Sequence, residues 1–326
     1  TTKRKIWTFY LHVSVFGKRE RNTDMERFRF ETDEKKAGER LDKYLTDQIP
    51  ALTRSFLQKL IKEERVCVDG RPVKANFKLK KSHIVEVAVP PAKEVPILPE
   101  EIPLDILYED TDLLIVNKPK GMVVHPSAGH FSGTLVNAVM HHCRDSLSGI
   151  NGELRPGIVH RIDKDTTGSL VICKNDESHL CVAEQIKEHS VKRIYRGIVS
   201  GHLKKERGTV CGNIGRHPTD RKKMSVVLNG GKPAVTHYKT LKQWKTAAYV
   251  EFQLETGRTH QIRVHMANIG PPLLGDAVYG NSKNPYKLEG QTLHAMTIGL
   301  KHPRTKAYLE VSAPLQDNFE KLLRGF

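Results

Sequence analysis

Asp163 stands between cations: Arg161 precedes it by two residues and Lys164 follows it directly, within the run RPGIVHRIDKDTTG over residues 155–168. A carboxylate flanked in this way stays ionised at neutral pH, the state a nucleophile needs. The β-branched pair Ile158 and Val159 predicts a strand over residues 157–162, followed by a tight polar turn that ends at Gly168 and a second strand over residues 169–173. Asp163 is therefore expected to be exposed at a strand end. The same residues also fit an aspartate whose side chain caps its own turn.

Two other chemistries match fragments of the chain. Residues 163–167 (DKDTT) fit D-x-D-x-T, the nucleophile loop of haloacid-dehalogenase-like phosphatases, in which the first aspartate takes the phosphoryl group and two carboxylates help to hold magnesium. That loop needs further acidic ligands. Downstream there are only the scattered aspartates Asp176, Asp220, Asp276 and Asp317, without the alternating parallel βα pattern of such a fold. Histidines are plentiful, but His141 and His142 diverge on a helix. His260 and His265 lack the four-residue spacing that puts two ligands on one face. No metal and no cofactor are expected.

Four ordered segments carry a family resemblance. His160-Arg161-Ile162-Asp163 followed by Thr166-Thr167-Gly168 resembles the signature of the RluA-type pseudouridine synthases, with Ile162 in place of the more usual leucine. Residues 117–126 (NKPKGMVVHP) are similar to that family's opening strand-turn motif, 192–197 (KRIYRG) to the segment of its active-site tyrosine, and 256–265 (TGRTHQIRVH) to the segment of its active-site arginine. The match spans roughly residues 103–326 and most resembles the RluD subgroup, which modifies large-subunit ribosomal RNA. It implies an isomerase that breaks the bond from ribose C1′ to uracil N1, turns the base and rejoins it through C5, without a redox, nucleotide or metal step. By the same resemblance Asp163 is the catalytic aspartate and Arg161 replaces the extruded base in the RNA stack. Tyr195 stacks on the uracil and assists proton transfer from C5, and Arg263 pairs with Asp163 and orients it. Ile262, His160 and Thr167 are then substrate-pocket residues, although Ile262 fits plain core equally well.

Composition agrees with an RNA partner. Lys and Arg number 53 against 37 Asp and Glu, a formal charge of +16, which favours a polyanion through counterion release. No run reaches the length of a membrane span. The apolar stretch over residues 9–16 follows Lys3, Arg4 and Lys5 but is interrupted by His12 and Ser14 and lacks a cleavage pattern, so it is not read as a signal peptide. Five cysteines without C-x-x-C spacing imply neither a disulfide framework nor a zinc site. A monomer in the reducing cytoplasm is expected.

The elements that must position these residues fall into four parts. Residues 1–36 read as a charged extension, partly non-native because the chain opens on Thr1, with Met25 as a candidate start. Residues 37–89 read as two short helices, a hairpin turning at Asp69-Gly70 and a strand over 84–89, which resembles a small S4 RNA-binding domain of the αL type. Arg40, Lys43, Arg54, Lys59, Lys62 and Arg65 lie on the polar helix faces, where they could contact phosphates or simply be solvated. Residues 90–102 form a proline-rich linker. In residues 103–326 strand patterns outnumber helical ones, chiefly 135–143, 179–189 and 259–269, so helices cannot cross over between every strand pair. An α+β catalytic domain with a mixed or largely antiparallel sheet follows. A non-catalytic ribosome assembly factor built around the S4 module is the remaining alternative.

Overall fold

The computed structural model describes residues 18–22, 25–50, 52–90, 97–126, 131–144, 146–150, 156–220, 223–280 and 286–326. The apolar stretch 9–16, Arg155 and the linker prolines Pro91 and Pro96 lie outside the described residues. The chain divides into two compact units, residues 1–94 and 95–326.

In the first unit, β1 (Lys18–Asn22) and β2 (Met25–Glu31) precede α1 (Leu41–Gln48), α2 (Arg54–Lys62), β3 (Val66–Val68), β4 (Arg71–Pro72) and β5 (Ile84–Val89). The strands form an antiparallel sheet in the order β1-β2-β5-β3-β4. Leu41, Tyr44 and Leu45 of α1 and Leu57, Leu60 and Ile61 of α2 share one core with Val66, Val68, Val85 and Val87. The Asp69-Gly70 turn places both residues at positive φ, 50° and 73°, as a two-residue hairpin requires. The stretch read as a charged extension is corrected here, since it supplies β1 and β2. Arginines at positions 27 and 29 mask a period-two pattern whose alternate members, Phe28 and Phe30, enter the core.

The second unit runs β6 (Ile106–Glu109), β7 (Leu113–Lys118), α3 (Leu135–Cys143), β8 (Thr167–Cys173), α4 (Asp176–Lys187), β9 (Lys192–Ser200), β10 (Arg207–Arg216), β11 (Met224–Val227), β12 (Lys232–Gln243), β13 (Ala247–Leu254), α5 (Gln261–Ile269), β14 (Leu293–Lys301), β15 (Tyr308–Ser312) and α6 (Asp317–Arg324). Its sheet has the order β11-β10-β12-β13-β9-β14-β8-β7-β6, with β15 added to β14. Among the described strands only β8 and β14 pair in parallel, so the sheet is mixed and dominated by antiparallel pairs. α3 and α5 pack Leu135, Val136, Val139, Ile262 and Met266 on one face, while α4 brings Val182 to the other.

Two local features shape the turn between Ile162 and Thr167. The strand expected over residues 157–162 is absent apart from one bridge, Ile158 to Ile172. The His160 imidazole explains the departure: its Nε2 accepts the Val171 backbone N–H at 3.1 Å, taking the donor that a neighbouring strand would have used. At the other end, Thr167 and Gly168 pair with His294 and Ala295. Gly168 has φ of +106°, and a side chain there would collide with the Ala295 backbone, so the turn closes only on glycine.

Candidate active site

The turn delivers Asp163 to the edge of a pocket lined by Arg161, Ile162, Asp163, Thr166, Tyr195, Leu254, Arg258, His260, Gln261, Ile262, Arg263 and Leu293. Five elements or turns contribute: the 161–166 turn, β9 through Tyr195, the end of β13, the start of α5 and the start of β14. Their apolar members, Ile162, Tyr195, Leu254, Ile262 and Leu293, belong to the main core cluster of this unit. A flat apolar ring could rest on that floor.

Asp163 keeps 19% of its side chain exposed, and its Oδ2 accepts Arg263 Nη1 at 3.0 Å. Arg263, 7% exposed, spends its other edge on Asp276: Nε donates to Oδ2 at 2.7 Å and Nη2 to Oδ1 at 2.9 Å. Asp276 is itself held by the backbone N–H groups of Val278 and Tyr279, at 2.9 and 3.0 Å. The guanidinium is thus clamped from behind and offers one N–H to Asp163. Burial alone would lower the pKa of Arg263, but the bonds to Asp276 and the charge of Asp163 outweigh it, so the cation is firmly protonated. Burial likewise opposes ionisation of Asp276, and Arg263 overrides it. Arg263 and Asp276 offset one another, and Asp163 is the carboxylate at the open end.

Around this chain lie groups in defined protonation states. The Tyr195 phenol is raised by burial, with Arg193 pulling it down and Asp163 pushing it up, so it enters as a neutral O–H. His260 Nε2 is 3.9 Å from Asp163 Oδ1, and its Nδ1 lies 2.8 Å from the Tyr279 hydroxyl. Burial lowers its pKa ahead of the opposing pull of Asp163. Lys118, at the end of β7, is fully buried and donates to the carbonyls of Pro119 and Met122 at 2.8 Å and of Lys164 at 2.9 Å. Burial pushes this amine down to about 7. Three acceptors match the three donors of an ammonium, and the contact to Lys164 ties the strand end to the Asp163 turn.

Of the residues expected from sequence, Arg161, Asp163, Tyr195, Ile262 and Arg263 converge on the pocket, and Arg161 is exposed at its rim. His160 and Thr167 are outside its lining. His160 serves the backbone of β8, and Thr167 bonds His294 Nδ1 at 2.7 Å and faces a different cavity, which Asp165 also lines. The two aspartates of D-x-D-x-T therefore look into separate spaces. Asp276, unassigned by sequence reading except as a stray acid, is the residue that anchors Arg263. Its bracketing by Gly275 and Gly280 was the available signal. His265, considered as a metal ligand, is buried against Thr236 Oγ1 at 2.9 Å.

In the first unit, Arg40 and Arg54 converge on the buried carboxylate of Asp42, with Nη2 of Arg54 2.8 Å from Oδ2. Lys43, Lys59 and Arg65 pair with Glu39 or Glu63 at 3.2 to 3.7 Å, and Lys62 is exposed.

Comparison with known proteins agrees with both units. Residues 112–268 match the family model described as RNA pseudouridylate synthase, and residues 39–85 match the S4 domain. The uncharacterized RNA pseudouridine synthase YlyB of Bacillus subtilis is 48% identical over 292 residues, covering 90% of this chain and 95% of that one. The ribosomal large subunit pseudouridine synthase D of Zymomonas mobilis is 44% identical over 303 residues, 89% and 95% of the two chains. Among solved structures, human RNA pseudouridylate synthase domain containing 4 superposes with a TM-score of 0.52 at 26% identity, covering 67% of this chain and 91% of that one.

Proposed function

The chain belongs to the RNA pseudouridine synthase family, and we propose that it isomerises uridines of large-subunit ribosomal RNA with Asp163 as nucleophile. The observation that carries the residue assignment is the Asp276–Arg263–Asp163 chain, which leaves a single oriented carboxylate facing a pocket floored by Tyr195 and Ile262. The large-subunit target rests on likeness to relatives bearing that name and on the charge of +16.

The reaction moves the glycosidic bond within one nucleotide. The bond from C1′ to N1 breaks and one from C1′ to C5 forms; the proton leaves C5 and one is gained at N1. In this reading Asp163 supplies the negative charge that drives uracil off C1′, and Arg263 fixes the carboxylate toward the ribose. Tyr195, neutral and buried, lies flat against the base and is placed to handle the C5 proton. Arg161, at the rim, fills the gap left in the RNA stack. Lys43, Lys59 and Lys62 of the first unit add phosphate contacts, with Glu39 and Glu63, the partners of Lys43 and Lys59, giving way to RNA. The protein acts as a cytoplasmic monomer, and its free cysteines fit a reducing compartment. Among the described residues no helix is long and apolar enough to cross a membrane. No residue of the site favours the non-catalytic alternative.

Mapping pseudouridines in ribosomal RNA from cells with and without the gene tests the target. One or more large-subunit positions should revert to uridine. An unchanged map would remove the ribosomal assignment.

A further inference from the structure

Arg193 is the second buried arginine beside the pocket, and its situation is the opposite of Arg263's. It lies on β9 two residues before Tyr195, hence on the same face of the strand, and is 6% exposed. Nη2 donates to the Glu255 carbonyl at 2.7 Å, while the buried Nε has no hydrogen-bond partner among the described residues. Among the described residues no carboxylate neutralises it; the ionisable groups that face it are Tyr195, Arg258 and His160. Arg258 repels it, and His160 is held neutral by its own burial. The guanidinium also fills space that a side chain at position 257 would need, since a Cβ on Gly257 would lie 2.7 Å from Nη1. Burying a cation without a counter-charge is costly, and one carbonyl bond does not replace the missing charge.

From the orphaned Nε, the missing counter-charge and the position behind Tyr195 and Arg258 at the pocket wall, we infer that Arg193 binds a phosphodiester of the RNA, the one adjoining the target uridine. The inference rests on the RNA-isomerase reading. A uridine placed over Tyr195 carries a phosphate on each side, and these are the only anions the substrate brings to this wall. The phosphate supplies the missing charge, of the kind a guanidinium recognises. Arg193 is then a binding residue that fixes the position of the ribose relative to Asp163, while Arg263 fixes the carboxylate.

The test is a protein–RNA double-mutant cycle on the full chain. RNA fragments carrying a converted uridine are made with a neutral methylphosphonate at either adjoining phosphate, and affinity and single-turnover rate are measured for the unsubstituted protein, Arg193→Gln and Gly257→Ala. Gly257→Ala displaces only the far end of the Arg193 side chain, so it reports on the guanidinium without depending on whether Arg193→Gln folds. One neutralised phosphate should cost the unsubstituted protein roughly tenfold or more. The same neutralisation should cost the two variants less than about twofold, because the contact is already lost. Equal costs in all three proteins would overturn the phosphate site. Absence of turnover by the unsubstituted protein would strike instead at the isomerase reading, and the coupling in affinity would still decide the role of Arg193.

Discussion

Asp42 in the first unit and Asp163 in the second both face arginine, yet their surroundings leave them different capacities. Asp42 is wholly buried and accepts from Nε and Nη2 of Arg40, Nε and Nη2 of Arg54 and Nε2 of Gln58, at 2.8 to 3.2 Å. Burial works against its charge, but those donors hold its pKa well below the usual carboxylate range. Asp163 is 19% exposed and takes one close bond, from an arginine already anchored by Asp276. Five donors crowd the carboxylate of Asp42, and those of Arg54 and Gln58 tie α1 to α2. Asp163 retains an oxygen that can be offered to a substrate. The two aspartates differ in the number of donors around them more than in their nearness to a cation.

The largest effect should come from Asp163→Asn. The amide keeps the shape and loses the charge, so single-turnover pseudouridine formation should fall roughly a thousandfold or more while RNA affinity stays within a few-fold, because phosphate contacts dominate binding. Turnover retained by this variant would erase the contrast between the two aspartates.

Next in size is Asp276→Ala. Removing one partner of a buried pair typically costs about 3–5 kcal/mol, to be read in urea unfolding of the second unit. Freed from its clamp, Arg263 can turn a two-donor edge to Asp163 and draw the carboxylate out of line. Turnover should fall roughly a hundredfold at temperatures where the variant is still folded. A folded Asp276→Ala protein with undiminished rate would show that the clamp is irrelevant to chemistry.

Asp42→Asn sharpens the comparison from the other side. It replaces several charge-assisted bonds and should lower the stability of the first unit by about 2–3 kcal/mol, with the rate on a short saturating fragment unchanged within about twofold. A rate loss matching that of Asp163→Asn would contradict a purely structural role.

The smallest effect is a pH dependence. Burial, with Arg193 adding to it, pushes His160 from its ordinary 6.5 down to about 3, in keeping with Nε2 accepting the Val171 N–H. Below pH 6.5 the unfolded chain therefore binds a proton that the folded one refuses, and stability falls as pH drops from 6.5 toward 3, by roughly 1.4 kcal/mol per unit at most. His160→Gln can accept the same N–H without titrating. Its unfolding free energy should decline less between pH 6.5 and 5 than that of the unsubstituted protein; parallel slopes would remove His160 as the cause.

Much of this architecture was legible in neighbouring residues. Helical spacing marked α1, α2, α3 and α5, Asp69-Gly70 marked its hairpin, and Gly168 marked the end of the Asp163 turn, because periodicity and turn chemistry are encoded within a few positions. The motif segments pointed to Asp163, Tyr195 and Arg263, and the excess of Lys and Arg to a polyanion. Where reading failed, a distant partner or a masked pattern was responsible. His160 cancelled the strand expected over 157–162 by capturing Val171, and phenylalanines interleaved with arginines concealed β2.

What only the tertiary structure decided was how each charged group is partnered. Arg263 bonds Asp163 and Asp276, 100 and 13 residues away, Lys118 reaches Lys164 across 46, and Arg193 meets Glu255 across 62. Residue types state that these groups carry charge. Whether that charge is neutralised, saturated or left facing a pocket depends on burial and on donors that folding brings from elsewhere in the chain, and those terms set the reactivity of a carboxylate.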